Sequence, residues 1–594
     1  MSRLHISGTR RRVAIATTAS AVLVGVGLGS TPAAQGADSS ECPEALPLSA
    51  LTAGDPVVGK TVTTGTAPEG FGGTVIGVLE DGIAPGTDMI LADLDSSTID
   101  RVGIWSGMSG SPVYAADGRL VGAVSYSLGV GPSTIAGITP AESMYALRTS
   151  SAVQRSARTK VALPASLERA VAATGATGTT MKRLRVPVGL SGLSSTRLEQ
   201  LAPALNGRGV HVADVAGGPT SQEPIDVTAG GNLAASLAYG TITAAGVGTA
   251  TAVCGDEVLG FGHPMTFSGP STMSLHGARA THIQDDQTVS GFKVANLGAP
   301  IGTIDGDRMA GLHGVKGALP TAYPLTATAT SGGVTKQAST DVTVQGLLAE
   351  MGFSNLIAAQ DQAIDRIGQG TATAGWTIRG TRKNGTPFSF TRQDLYADQG
   401  DISVATAIGL AEDLFTIQEN PGEVVKITSV ESSAELSDVY ETYVVSKVQA
   451  YQSGAWRTLS SSKTNKLKAG KVAMKILLTS REGDPRTLTT SVTVPSKAVS
   501  RPGWLTVTGG NAGSYDSEEF FFYEDEAFDE FPAPSEDTFP GVLKDMAAGP
   551  KNNEVEATLK FRASGTAGKE QAVTAATPDR VVSGFRQYRV VGTR

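Results

Sequence analysis

The segment GIWSGMSGSPVYAADGRLVGAVSY, which runs from Gly103 to Tyr126, tells most about how this chain folds. Two glycines flank Ser109, and the pair Asp117–Gly118 separates two apolar runs, a pattern that is typical of a β-hairpin with a tight turn. Pro112 restricts the backbone where the first of these runs begins. The segment therefore predicts a serine on a sharp turn that leads directly into a hairpin.

Short apolar stretches broken by glycines continue on both sides of this segment, from about Val57 to Met144. GGTVIGVLE, ending at Glu80, and MILADL, starting at Met89, are two further predicted strands. The chain is rich in glycine, with 72 among 594 residues, and only 5% of its residues are aromatic, which favours turn-rich β structure. Strands at this spacing predict a small barrel or sandwich.

The first 37 residues predict a secretory signal peptide. Four arginines precede an apolar run from Val13 to about Leu28, and small residues follow at 33–37. The alternative is a membrane anchor, for which the run is short. We therefore expect a secreted or extracytoplasmic protein, with a possible association with the cell envelope.

The remaining chain divides by composition into three parts. Residues 38–345 are predicted to form one β-rich region, with a connector at about 147–180 that contains a helix over Ala165–Ala173. Residues 346–420 predict a helix followed by β structure, and residues 421–594 predict antiparallel sandwiches of immunoglobulin-like type. The acidic stretch 515–537 lacks the glycine spacing of an EF-hand and is predicted to be a solvated loop.

Charge and cysteine content limit the partners. The formal net charge is −8 and no basic patch follows the signal, so nucleic acid is not an expected partner. No metal or organic cofactor is expected. The two cysteines, Cys42 and Cys254, either form one disulfide, as suits an oxidising compartment, or remain two buried thiols.

Ser109 is the candidate nucleophile. A serine needs a fixed, accessible turn, an adjacent base and donors for an oxyanion. Gly107 carries no Cβ, so the N–H groups of Gly107 and Ser109 are the candidate oxyanion donors. Ser111 ranks second as nucleophile. The structural alternative is an ordinary Gly/Ser-rich turn between two strands.

The candidate base is His263, in LGFGHPM, where it stands between a glycine and a proline at the end of a predicted strand. The histidines at 211, 276, 282 and 313 lie in ordinary strands or polar loops. A buried, hydrogen-bonded structural role is the alternative for His263.

Both segments resemble those of the SpoIVB-type serine peptidases, the sporulation factor IV B protease family. GMSGSP, the following DGRLVGAVSY and IAGITPAESM, and GFGHPM with IGTIDGDRMAGLHG carry the resemblance, which covers roughly residues 56–323. It implies a chymotrypsin-like double β-barrel, a Ser–His–Asp triad and cleavage of an envelope protein or of the chain itself. In the founding pattern the His segment precedes the Ser segment, whereas here Ser109 precedes His263. Triad geometry does not depend on chain order.

The third member of the triad has several candidates. The resemblance implies an Asp about 15 residues before the nucleophile, where Asp95, the preferred candidate, and Asp93 stand. Asp305 and Asp307 follow the His segment. A Ser–His dyad, with the imidazole oriented by a backbone carbonyl, is the remaining possibility.

These observations predict an exported serine endopeptidase that acts through an acyl-enzyme at Ser109. A non-catalytic scaffold that keeps the peptidase fold for protein binding is the main alternative. An esterase with the same triad ranks lower, because GMSGSP is not the G-x-S-x-G nucleophile elbow.

Overall fold

The computed structural model describes residues 42–129, 131–149, 157–184, 188–200, 212–213, 223–285, 291–511, 538–562, 571–576 and 579–594. The predicted signal peptide and the acidic stretch 515–537 lie outside these residues. Strands make up 54% of the structure and helices 17%, which confirms a mainly β protein.

The first six strands form a closed antiparallel barrel. They are β1 (Pro56–Thr61), β2 (Glu69–Ala84), β3 (Thr87–Asp95), β4 (Pro112–Ala115), β5 (Leu120–Leu128) and β6 (Ile135–Pro140). Each pairs with two neighbours in the order 1-2-3-6-5-4, and β4 returns to β1. Apolar side chains from all six strands fill its interior, as in other small barrels. The predicted hairpin at Asp117–Gly118 is confirmed, since it joins β4 to β5.

Short elements surround this first barrel. They are α1 (Ser97–Val102), α2 (Ala141–Tyr145), β7 (Lys160–Ala162), α3 (Ala165–Ala173) and β8 (Thr180–Arg183). The predicted helix in the connector is confirmed as α3, and β7 and β8 extend the sheet beyond β5.

A second set of strands follows and belongs to a 13-stranded sheet. They are β9 (Val188–Ser191), β10 (Val212–Ala213), β11 (Asn232–Gly240), β12 (Thr243–Cys254), β13 (Glu257–Gly260), β14 (Gly269–Gln284), β15 (Phe292–Arg308), β16 (Gly311–Lys316), β17 (Tyr323–Ser331) and β18 (Val334–Val342). The antiparallel pairings of β11 to β16 also close into a ring, again in the order 1-2-3-6-5-4. We call these six strands the second ring.

Two long helices cover the rest of this sheet. They are α4 (Leu348–Ile364) and α5 (Ile402–Gln418), and the accompanying strands are β19 (Gly370–Thr381), β20 (Pro387–Asp398) and β21 (Lys426–Ser437). The predicted helix after Gly346 is confirmed as α4. The helix α5 has no counterpart among the predicted elements, because most of its side chains are buried and no polar face marks its period. One apolar core joins these elements to the second ring and continues across residue 345.

The C-terminal part consists of two five-stranded sheets around one apolar core. Its strands are β22 (Thr442–Gln452), β23 (Ala455–Thr458), β24 (Asn465–Lys468), β25 (Gly470–Ser480), β26 (Pro485–Val494), β27 (Pro502–Gly509), β28 (Glu554–Phe561), β29 (Gln571–Ala576), β30 (Val581–Ser583) and β31 (Phe585–Thr593). The helix α6 (Phe539–Ala548) lies between β27 and β28 in the sequence but packs against α5 and β20.

One assignment at the start of this part differs from the sequence analysis. The segment VVKITSV, residues 424–430, falls within 421–594, the part that was predicted to form sandwiches. It contributes instead to β21, which pairs with β17 and β19 of the 13-stranded sheet. Its alternating pattern indicates a half-buried strand but carries no information on its partners.

Cys42 and Cys254 form a disulfide, with their Cα atoms 4.9 Å apart. The bridge connects the segment before the first barrel to the end of β12 in the second ring. Among the described residues, no helix has the length and apolar character needed to cross a membrane.

Candidate active site between the first barrel and the second ring

Ser109 lies on a turn between the third and fourth strands of the first barrel, after α1 and before β4. Gly107 and Gly110 have φ of 94° and 92°, in the left-handed region that favours glycine. A Cβ at Gly110 would overlap the carbonyl oxygen of Thr249 in β12. The glycines thus permit both the shape of the turn and its close approach to the second ring.

Two carbonyl groups of this turn accept hydrogen bonds, whereas two of its N–H groups donate none. The Ser106 carbonyl accepts from Lys293 N at 2.9 Å, and the Met108 carbonyl accepts from Ser111 N at 3.0 Å. Because C=O and N–H point in opposite directions across a trans peptide, these bonds fix the directions of the N–H groups of Gly107 and Ser109. Both residues are buried, and neither N–H donates a hydrogen bond within the described part of the chain.

His263 occupies the corresponding place in the second ring, between its third and fourth strands. Phe261 and Gly262, which precede it, both have φ of 68°. The imidazole is only 1% exposed, and its Nδ1 lies 2.8 Å from the Pro264 carbonyl oxygen. Since a carbonyl can only accept, Nδ1 carries the proton. Burial lowers the pKa of His263 to about 3, so the ring is neutral at pH 7 and Nε2 carries an unprotonated lone pair.

Thr249 connects the two turns. Its N–H donates to the Ser109 carbonyl at 2.8 Å, and its carbonyl accepts from Phe261 N at 3.2 Å. A second connection runs through Val124 in β5, whose carbonyl accepts from Gly110 N at 2.8 Å and lies 3.3 Å from where a Cβ of Gly262 would be. The structure therefore brings the segments of both sequence-predicted residues together, although they are more than 150 positions apart.

The candidate nucleophile atom and the candidate base atom have no hydrogen-bond partner among the described residues. Ser109 Oγ and His263 Nε2 are both buried and both unpaired, and they do not bond to each other. Buried polar atoms are paired in the great majority of cases. Unpaired atoms on two connected turns therefore mark this junction as the candidate site, in an enclosed state.

Of the four aspartates that are candidates for the third member of the triad, one lies near this site and three lie away from it. Asp307, at the end of β15, is fully buried and accepts from Met265 N at 2.9 Å and from Thr266 N at 2.7 Å. It thereby holds the segment that follows His263. Asp305 bonds to His313 Nδ1 at 2.6 Å instead and raises the pKa of that histidine.

Asp95, the residue chosen in the sequence analysis, is exposed at the end of β3, and Asp93 is half-buried on the same strand. The described contacts of His263 include neither of them. Its Nδ1 bonds to the Pro264 carbonyl oxygen instead. In the structure, the group that contacts the imidazole at Nδ1 is a backbone carbonyl and not a carboxylate.

Ser111 has the surroundings of a structural residue. Its Oγ lies 2.6 Å from the Met108 carbonyl oxygen and 2.9 Å from Thr61 Oγ1. A fully bonded hydroxyl is less available for attack than the unpaired Oγ of Ser109.

A second Ser–His contact lies inside the second ring. Ser236 Oγ is 2.8 Å from Nε2 of His276, whose Nδ1 is 2.9 Å from the Gly298 carbonyl oxygen. Both residues stand within paired strands, where the ladder pairs β11 with β14, and both are fully buried. With no turn to expose unpaired N–H groups, this pair is a structural hydrogen bond.

Sequence reasoning missed one charged residue at the site. Lys293, in β15, is only 3% exposed, and a Cβ at Gly107 would lie 2.8 Å from its own Cβ. Nothing in the strand sequence FKVANL distinguishes it from a surface lysine, because its burial is imposed by other strands.

An open cavity of about 800 Å³ lies beside the segment that follows His263. Thr266 and Ser268 line one side of it, and the other side is mainly apolar, with Met273, Leu347 and Phe415. Its volume is typical of a small-molecule site, and its lining suits an apolar ligand group.

Comparisons with protein-family models, with curated proteins and with solved structures give no match for this chain. Within the described residues, no group of three or more His, Cys, Asp and Glu side chains is arranged to hold a metal ion.

Proposed function

We propose that this protein is an exported serine endopeptidase with a chymotrypsin-like pair of barrels in which the segment carrying the serine precedes the segment carrying the histidine. The observation that carries the proposal is the set of four buried, unpartnered groups at one junction: Ser109 Oγ, His263 Nε2 and the N–H groups of Gly107 and Ser109. These are the nucleophile, the base and the oxyanion donors that acyl transfer requires.

The repeated strand order supports the double-barrel interpretation. The first barrel and the second ring share the order 1-2-3-6-5-4, and each contributes one reactive side chain from the connection between its third and fourth strands. A substrate peptide would bind where the two meet. The immunoglobulin-like character of the C-terminal sheets and their role in presenting substrate or binding the envelope belong to the same proposal.

The reaction follows from the tautomer of His263. Nε2 removes the proton from Ser109 Oγ while Oγ forms a bond to the substrate carbonyl carbon. The carbonyl oxygen becomes an oxyanion that accepts from the N–H groups of Gly107 and Ser109. Collapse of this intermediate breaks the C–N bond, and the imidazolium returns the proton to the leaving amine. Water, deprotonated by the same imidazole, then releases the acyl group.

In this proposal, the Pro264 carbonyl orients the imidazole of His263. A carbonyl keeps the proton on Nδ1 without adding a negative charge, so it stabilises the imidazolium less than a carboxylate would. Asp307 holds the backbone that carries Pro264 through its bonds to Met265 and Thr266. We therefore expect slow turnover compared with a peptidase that has a full triad.

The second candidate function is a non-catalytic scaffold for protein binding. The observation that favours it is burial, because Ser109 is inaccessible to solvent and His263 is 1% exposed. The enzyme must open this junction to admit a peptide, whereas a scaffold need not.

Turnover measurements separate these possibilities. The mature protein is incubated with an unfolded protein substrate and with a peptide library, and new N-termini are identified by mass spectrometry. Cleavage by the wild type that is absent in Ser109→Ala supports the endopeptidase. Hydrolysis of short esters with no cleavage of peptides would replace it by an esterase, and no hydrolysis of either by the folded protein would favour the scaffold.

A further inference from the structure

Lys293 lies where the second ring meets the Ser109 turn. It is the second residue of β15, and its side chain extends into the interior between β11, β12 and the turn rather than into solvent. No step of the proposed acyl transfer uses it.

Lys293 contacts the Ser109 turn and the strands around it through both its backbone and its side chain. The backbone N–H donates to the Ser106 carbonyl at 2.9 Å, and the peptide that contains this carbonyl also contains the N–H of Gly107. The side-chain Nζ donates to Asn232 Oδ1 at 2.9 Å and to Thr249 Oγ1 at 3.5 Å. Thr249 Oγ1 in turn donates to the Gly107 carbonyl at 3.1 Å.

The groups that face the ammonium are neutral. Asn232 belongs to β11, Thr249 belongs to β12, and the turn contributes only backbone. Among the described residues, no carboxylate pairs with Lys293, and burial lowers its pKa to about 7. A buried cation without an opposite charge is costly, and a methionine of similar length would fill the same space without that cost. We therefore expect the lysine at this position to have a role that requires its charge or its hydrogen-bond donors.

We propose that Lys293 is a positioning residue for the oxyanion site, which holds the Gly107 peptide through Ser106 and Thr249 and adds a positive charge beside the place where the oxyanion forms. The inference rests on the proposed function. Charge-assisted hydrogen bonds are about twice as strong as neutral ones, so the protonated form of Lys293 is the one that holds the turn best. Turnover should therefore decline as the pH rises above about 7.

The test measures kcat and KM against pH for the full mature chain, with the active protein counted by phosphonate titration. Lys293→Met is expected to lower kcat about 10²-fold, as loss of an oxyanion donor does, to leave KM within about threefold, and to abolish the decline above pH 7. Lys336→Met, on the exposed face of β18, is the matched control and should behave as the wild type.

Asn232→Asp provides a second variant that keeps the lysine. A carboxylate beside the ammonium favours its protonated form, so the decline should move to higher pH by at least one unit. This shift is a readout that a merely structural role for Lys293 would not produce.

The outcomes are distinguishable. If the wild type neither cleaves substrate nor reacts with the phosphonate, the proposed function fails and this inference fails with it. If the wild type is active and the folded Lys293→Met variant keeps its kcat, or loses kcat with an unchanged pH profile, the positioning role is refuted alone. If Lys293→Met does not fold, an unshifted profile in Asn232→Asp refutes it.

Discussion

Thr249 donates its backbone N–H to the carbonyl oxygen of Ser109 at 2.8 Å, and this bond attaches the serine turn of the first barrel to the second ring. Through the carbonyl of the same Thr249, the attachment continues to Phe261, two residues before His263. Thr249 in β12 and Val124 in β5 thus both connect the turn that carries Ser109 to the segment that carries His263.

Ser109 and Ser111 are expected to respond in opposite ways to removal of the hydroxyl. Ser109→Ala should abolish turnover and leave the free energy of unfolding nearly unchanged, because the buried Oγ has no partner to lose. Ser111→Ala should retain turnover but cost about 1–3 kcal/mol, because its Oγ is bonded to Met108 and Thr61. Urea unfolding and peptide cleavage, measured on both variants, check this. Equal loss of activity in both would contradict the choice of Ser109.

Gly107 is expected to be more sensitive than a glycine with similar backbone in open space. Gly107→Ala adds a Cβ at φ 94° that would lie 2.8 Å from the Cβ of Lys293, so the oxyanion donors should shift and kcat should fall about 10²–10³-fold. Gly118→Ala is the matched control, since its φ is 88° and no atom lies within 4 Å. It should lose about 1 kcal/mol of stability and keep kcat. Similar kcat values for the two variants would count against the proposed oxyanion site.

His276 should make the protein less stable in acid. Burial lowers its pKa in the folded state to about 4, below the value of about 6.5 expected for the unfolded chain. Between those two pH values the unfolded state binds a proton that the folded state does not, so the free energy of unfolding falls by up to about 1.4 kcal/mol for each pH unit of acidification. In His276→Gln this contribution is absent. The slope of the free energy of unfolding against pH should therefore be smaller by that amount than in the wild type.

The comparison of slopes isolates this histidine. The pKa values of His263, the buried Asp413 and the half-buried Glu412 are also shifted in the folded state, but these residues are unchanged in the variant. His282→Gln, on the exposed part of β14, serves as the control and should keep the wild-type slope. Parallel curves for His276→Gln and the wild type from pH 6.5 to 4 would show that His276 is not held neutral.

The disulfide is expected to stabilise the arrangement of the first barrel relative to the second ring. It closes a loop with a sequence separation of 212 residues, so Cys42→Ser with Cys254→Ser should lower the free energy of unfolding by about 2–5 kcal/mol. The variant pair and the wild type are compared by urea unfolding with and without reductant. A reductant effect that persists in the double variant would not arise from this bridge.

Local patterns were sufficient to predict several elements. The hairpin at Asp117–Gly118 and the helices α3 and α4 depend on turn residues and apolar periodicity that the sequence displays directly. The closeness of the Ser109 and His263 segments was predicted from their motifs, because two reactive residue types on glycine-rich turns suggested a shared site. Asp95 was chosen from the spacing that the family resemblance implies, and such a spacing does not say which carboxylate reaches an imidazole.

Other features depend on partners that are distant in the sequence. The tautomer of His263 is set by the direction of the Pro264 carbonyl, and the burial of Lys293 is imposed by Asn232 and Thr249 from two other strands. The partners of β21 and the buried helix α5 are likewise decided by tertiary packing. Neither alternation nor composition carries this information.

The most direct test of the account is the site and stoichiometry of covalent labelling by a fluorophosphonate. The folded protein is incubated with the probe, and the adduct is located by peptide mass spectrometry in the wild type, in Ser109→Ala and in His263→Gln. We predict one adduct per chain on Ser109 in the wild type, none in Ser109→Ala, and labelling at least 10²-fold slower in His263→Gln, because the general base is absent. An adduct on another serine, or no adduct in folded wild-type protein, would contradict the assignment of Ser109 as the nucleophile.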